Sequence, residues 1–131
     1  MPEPQSEKRI LIVDDEPRVA DTAAAIFASA GFSSRAVYTA EEALELFPRW
    51  TPHLAVIDVH LPGMSGIDLA IHLKAEYPAC KLTLFSGFID SAELLESARR
   101  EGHSFDVLAK PVPPTELLQL ASDPLPMLGE A

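Results

Sequence analysis

The sequence predicts an α/β protein, a (βα)5 doubly wound five-stranded parallel sheet with helices on both faces. Three observations carry that reading. Short β-rich apolar runs alternate with longer stretches whose apolar residues recur at helical spacing. The runs start roughly 20–30 residues apart, the length that a strand–helix–strand crossover occupies. The first and third runs, Arg9–Val13 and His53–Ile57, are almost unbroken in apolar character. Central parallel strands covered on both faces look like this, and right-handed crossovers leave few other arrangements.

Taken in order, Arg9–Val13 reads as the first strand, and Val19, Ala23, Ile26, Phe27 and Ala30 mark the buried stripe of the helix after it. Gly31 supplies its stop. The run Ser34–Tyr38 is more polar and suits an edge strand. Thr39-Ala40-Glu41-Glu42 is a capping-box start for a second helix carrying Ala43, Leu44 and Phe47 and ended by Pro48. After His53–Ile57, a third helix from Ser65 to Tyr77 carries Ile67, Ala70, Ile71 and Leu73 and stops before Pro78. Lys81–Phe85 is the fourth strand; Asp90-Ser91-Ala92-Glu93 opens a fourth helix that closes at Gly102. Phe105–Ala109 is the fifth strand, and Pro114 opens a short fifth helix through Leu117, Leu118 and Leu120.

With 131 residues, 47% hydrophobic and 23% charged, the chain suits one globular domain with one core. We expect a folded unit over 8–121 between tails at 1–7 and 122–131, with no appended output domain. Ten Lys and Arg against 20 Asp and Glu give a net charge of −10. That charge repels a phosphate backbone and argues against direct nucleic-acid binding. Cys80 has no internal disulfide partner, and no Cys/His cluster has zinc spacing. No apolar run approaches the ~20 residues needed to cross a bilayer, and Met1–Glu7 has no apolar signal segment. A soluble cytoplasmic domain, a monomer or weak dimer, is expected.

In such a sheet, ligands bind beyond the carboxyl ends of the strands. The first strand runs into Asp14-Asp15-Glu16, the third into Asp58, the fourth into Ser86-Gly87 and the fifth into Lys110-Pro111. Acid, acid, hydroxyl and amine therefore converge on one edge. Carboxylates gathered there repel, and one must protonate unless a cation enters. All-oxygen ligands suit a hard cation, with Mg²⁺ favoured when phosphate completes the shell. A carboxylate, a metal, a hydroxyl and a lysine make a phosphoryl-transfer cradle in which an Asp attacks phosphorus.

Simpler readings stand beside this one. Asp14 and Asp15 suit a cap on the first helix, Asp58 suits a turn before Leu61-Pro62-Gly63, and Ser86 suits a turn before Gly87. A lysine ending a buried strand must snorkel to water or meet an anion. His53, His72 and His103 read as surface or helix-end residues, and His60 as a loop residue near the pocket. Trp50 reads as packing over the end of the second helix, and Cys80 as a packed small side chain. Phe88 reads as core, or as a contact for a partner.

The set Asp14-Asp15, Asp58, Ser86 and Lys110-Pro111, each at a strand end, resembles the receiver domain of two-component response regulators. The segment Asp58-Val59-His60-Leu61-Pro62-Gly63-Met64-Ser65-Gly66 is similar to that family's loop, an Asp followed by a Met/Leu-Pro-x-Met-x-Gly turn. The resemblance spans roughly 8–121 and implies a flavodoxin-like sheet of strand order 2-1-3-4-5. It implies that Asp58 accepts a phosphoryl group from a histidine kinase or histidine phosphotransfer protein. Asp14, Asp15, Asp58 and the backbone carbonyl of His60 would then hold Mg²⁺, with the second acid the usual direct ligand. Ser86 would be the switch hydroxyl and Lys110 the phosphoryl contact. Pro111 stands where the family often has a cis peptide. A downstream protein would read the face built from the fourth helix, fifth strand and fifth helix.

Two features depart from that pattern. Val107 occupies the place where the family usually has Tyr or Phe, and it is too small to act as the same switch. Phe105 would share its strand face and could compensate only through a bulge. The chain's end is the other departure: a stand-alone receiver, without a DNA-binding or catalytic module, is expected. Two alternatives stay open: a receiver-like interaction module that works without phosphorylation, and an aspartate-nucleophile phosphatase. The phosphatase would normally carry Asp-x-Asp at the first strand, where this chain has adjacent acids. Neither a Gly-x-Gly-x-x-Gly turn nor a Gly-Lys-Ser/Thr phosphate loop follows the first strand.

Overall fold

The computed structural model describes residues 8–87 and 91–122. Five strands form one parallel sheet: β1 (Arg9–Val13), β2 (Ser33–Val37), β3 (Leu54–Asp58), β4 (Lys81–Ser86) and β5 (Asp106–Ala109). Their spatial order is β2-β1-β3-β4-β5. The order reverses at β1, so the ends of β1 and β3 flank the switch point where such sheets bind ligands. Register pairs Val13 with Ile57 and Asp58 with Phe85, which brings the carboxyl ends of three strands level.

The helices are α1 (Pro17–Ser29), α2 (Ala40–Leu46), α3 (Gly66–Glu76), α4 (Ser91–Arg100) and α5 (Pro114–Ser122). Strand alternation sorts the apolar residues into two cores. Ile10, Ile12, Leu54, Val56 and Phe85 face α1 and α5, where Phe27 and Leu117 meet them. Leu11, Val13, Ala55, Ile57, Leu82 and Leu84 face the other way, against Phe47, Leu69 and Leu73. β1 and β3 are buried along almost their whole length, as their unbroken apolar runs require. β2, with its more polar run, is an edge strand.

Local chemistry sets the helix starts. Thr39 caps α2 by accepting the Glu42 N–H at 3.0 Å, and the Glu42 carboxylate reaches back to the Tyr38 N–H at 2.7 Å. Ser65 caps α3 by accepting the Asp68 N–H at 3.1 Å. Neither Asp14 nor Asp15 caps α1: its N-cap is Glu16, with Pro17 in the first turn and no side-chain cap. Gly31 takes a positive φ of 101° just past the end of α1.

Small differences from the expected elements have local causes. β2 begins one residue early, at Ser33, because the Ser33 N–H bonds the Lys8 carbonyl. α5 runs to Ser122, one residue beyond the expected boundary of the folded unit. His53 is no simple surface residue; its Nδ1 accepts the Arg9 N–H at 3.0 Å and clips the start of β3 to that of β1. Trp50 packs against the α2–α3 core, with the Arg35 guanidinium 4.7 Å from its ring centroid. Phe88 lies outside the described residues. Among the described residues, no helix is long and apolar enough to cross a membrane.

Candidate functional site

Asp14 follows Ile10 and Ile12 at period 2, and Asp58 follows Leu54 and Val56, so both acids stand on the α1/α5 side of the sheet. Lys110, two residues past Leu108, returns to that side. Its ammonium lies 2.7 Å from Asp14 Oδ2 and 3.5 Å from Asp58 Oδ2. Asp14 is fully buried and Asp58 is 4% exposed. Asp14 Oδ2 receives no hydrogen bond of regular geometry, so the ammonium serves it as a charge partner at close range. The other oxygen, Oδ1, accepts the Glu16 N–H at 3.0 Å. The lysine has met its anions.

Asp15 is exposed, yet its carboxylate joins the two buried ones: one oxygen from each of Asp14, Asp15 and Asp58 lies within 4.8 Å of the others. Three carboxylates against one ammonium leave an excess of two negative charges at the tips of β1 and β3. A divalent cation with a taste for oxygen ligands matches both the charge and the donor set.

Burial pushes the Asp58 carboxyl up to about 6, and the Asp14 charge adds to the effect. The Lys110 ammonium and the His60 N–H, which donates to Asp58 Oδ1 at 3.3 Å, pull the other way. Burial alone would lower the Lys110 pKa, but its contacts with Asp14 and Asp58 outweigh that and raise it, so the lysine stays charged.

Ser86 is the last residue of β4, one place beyond Phe85, the register partner of Asp58. Its carbonyl accepts the Lys110 N–H at 2.9 Å, tying the ends of β4 and β5 together. By alternation its side chain leaves β4 on the α3/α4 side, opposite to Lys110. His60 is half-buried in the loop after Asp58, and the Lys110–Pro111 peptide is cis.

Two residues matter for reasons the strand-end reading did not supply. A Cβ at Gly66 would run into the Asp58 carbonyl and lie 2.9 Å from Val59 Cα. Gly66 thus lets the start of α3 press against the chain beside Asp58, and its N–H bonds the Val59 carbonyl at 2.8 Å. The signal was its place closing the loop motif. Phe85, buried beneath Lys110, is the other; a large ring directly before the strand-ending serine was visible, but its neighbour was not.

No compensating aromatic stands near Lys110 on β5. The strand pairs with β4 without a bulge, Leu84 with Val107 and Phe85 with Leu108. Val107 is 40% exposed. Phe105 packs at the opposite end of β5 against the α3/α4 core, with the Lys74 ammonium 5.9 Å from its ring.

The model of the response regulator receiver domain family matches residues 10–122. The DNA-binding response regulator MtrA of Mycolicibacterium smegmatis is 33% identical over 113 residues, covering 85% of this chain and 47% of that protein. The regulatory protein VanR of Enterococcus faecium is 34% identical over 84% of this chain and 46% of its own length. The chain thus spans about half the length of these curated relatives. Among solved structures, the receiver domain of NtrX from Brucella abortus superposes with a TM-score of 0.75 at 30% identity, covering 86% of this chain and 94% of that one. A CheY-like receiver protein from Methanospirillum hungatei gives 0.78 at 28% identity, covering 89% and 92%. In sequence, in strand order and in the acids and lysine gathered at the strand tips, this chain belongs to the response regulator receiver domain family.

Proposed function

We propose that this chain is a phosphorylation-operated signalling switch whose phosphoacceptor is Asp58. The observation that carries this is the single Lys110 ammonium set between Asp14 and Asp58 at the tips of three strands. A histidine kinase or histidine phosphotransfer protein is the donor. An Asp58 oxygen attacks phosphorus, the P–N bond to the donor imidazole breaks, and the leaving imidazole takes a proton. Lys110, already charged, faces the added negative charge, and Ser86 supplies a hydroxyl from the opposite side.

Asp14, Asp15, Asp58 and the His60 carbonyl would hold Mg²⁺; the clustered, all-oxygen donor set with its surplus negative charge fits that ion. When bound, the ion neutralises charge on the phosphoryl oxygens. The chain promotes its own phosphorylation and dephosphorylation, but its output is a changed surface, not a released product. That surface is the α4–β5–α5 face, read by a downstream protein in the cytoplasm. To invert a 1:99 population, phosphorylation must favour one state by about 5.5 kcal/mol, and two or three charge-assisted hydrogen bonds supply a good part of that.

Incubation with Mg²⁺ and a small phosphoryl donor, followed by intact-mass measurement, should add one phosphoryl group to wild type and none to Asp58→Ala. Identical behaviour of the two proteins sinks the proposal. Val107 favours one second reading, an interaction module that binds its partner constitutively, because the usual aromatic switch is replaced by an exposed valine. Equal partner affinity of wild type, its beryllofluoride complex and Asp58→Asn would select it.

A further inference from the structure

We propose that Phe85 is a positioning residue for Lys110, a role that rests on the phosphoacceptor reading above and adds to it a requirement for an aromatic ring beneath the lysine. Phe85 is 2% exposed and belongs to the α1/α5 core, on the face from which Lys110 reaches Asp14 and Asp58. The Lys110 ammonium sits 5.8 Å from the Phe85 ring centroid, within the range of a cation–π attraction. On the adjoining backbone, a Cβ built at Gly87 would stand 3.6 Å from Lys110 Cδ, so the lysine stem passes close over that glycine.

The ring is needed because the lysine has somewhere else to go. A groove of about 520 Å³ opens between α1 and α5, lined by Val19, Ile26, Phe85, Lys110, Val112 and Leu117. A lysine stem is flexible and its head prefers water. Swung toward the groove, the ammonium would leave Asp58 and be absent when phosphorus arrives. Phe85 and Lys110 both line the groove, and the ring offers the ammonium a π surface at 5.8 Å in the position from which it also reaches Asp14 and Asp58. A non-aromatic residue of similar size keeps the packing but loses that attraction, and a smaller one also widens the alternative path.

The test is a double-mutant cycle of Phe85→Met or Phe85→Leu with Lys110→Ala, read by phosphorylation rate from a small donor in Mg²⁺ and by NMR of the Lys110 side chain. Each Phe85 variant should slow phosphorylation by about five- to tenfold, with Mg²⁺ affinity unchanged. Phe85→Tyr should restore the rate. In the Lys110→Ala background, the same Phe85 substitutions should cost nothing more. The Lys110 methylene resonances should lose their ring-current shift in Phe85→Met and keep it in Phe85→Tyr. Equal slowing in both backgrounds, or Lys110 resonances indifferent to the ring, overturns the proposal. The NMR arm needs no phosphorylation, so a wild type that never takes up phosphate would refute the phosphoacceptor reading while the lysine's placement was still decided.

Discussion

Asp58 is folded into a place where its charge is unwelcome. Its carboxyl titrates near 3.8 in the unfolded chain and is pushed up to about 6 by burial and by Asp14. The folded state therefore binds more protons than the unfolded one between those values. The associated stability is fully present below the unfolded pKa and is lost as pH rises through the folded one. In the presence of a chelator, Asp58→Asn should be more stable than wild type by about 2 kcal/mol at neutral pH. That advantage should shrink below about pH 6 and vanish near pH 4. Urea titrations across this range would show it, and a difference that does not change with pH would sink the assignment. The acid and the lysine were legible in sequence because each ends an apolar run, which fixes its edge of the sheet. The contact between Phe85 and Lys110 was not, because it depends on the register of β4 against β5 and on where a four-carbon stem comes to rest.

At the level of elements, the junction of β3 with α3 is the most constrained feature. Helix propensity alone would make Gly66→Ala stabilising by about 1 kcal/mol. The structure predicts the opposite sign, since the new methyl group must displace the Asp58 carbonyl or the start of α3. A loss of more than about 3 kcal/mol is expected from backbone overpacking of this kind. Chemical denaturation measures it, and a neutral or stabilising result would mean that α3 does not press on β3 as described. Most elements were readable in advance because their chemistry is local: the Thr39 capping box, the Gly31 stop, the Pro114 start. The unbroken pairing of β5 with β4 was not readable. It leaves Val107 exposed and Phe105 at the far end of the strand, so no aromatic substitution for the missing switch comes from β5.

Over the whole molecule, 20 acidic residues against 10 basic ones leave a surplus of negative charge that repels itself, so an inert salt such as sodium chloride is mildly stabilising by screening. Composition shows that surplus but not where it is concentrated, and the fold collects two uncompensated charges at one point, where Asp15 joins Asp14 and Asp58. A ligand that binds only the folded state stabilises it by RT ln(1 + [L]/Kd). Mg²⁺ at ten times its Kd should therefore add about 1.4 kcal/mol and raise Tm by about 5 °C in a chain of this size. Sodium chloride at the same ionic strength should give only a small part of that rise. Asp15→Asn should lose the magnesium-specific excess, because it removes an exposed ligand without disturbing the buried pair of Asp14 and Lys110. Thermal melts of both proteins in the two salts separate local coordination from general screening. Equal magnesium gains for wild type and Asp15→Asn would assign the effect to the diffuse surface charge and remove the acidic pocket from the account of how this fold meets a divalent ion.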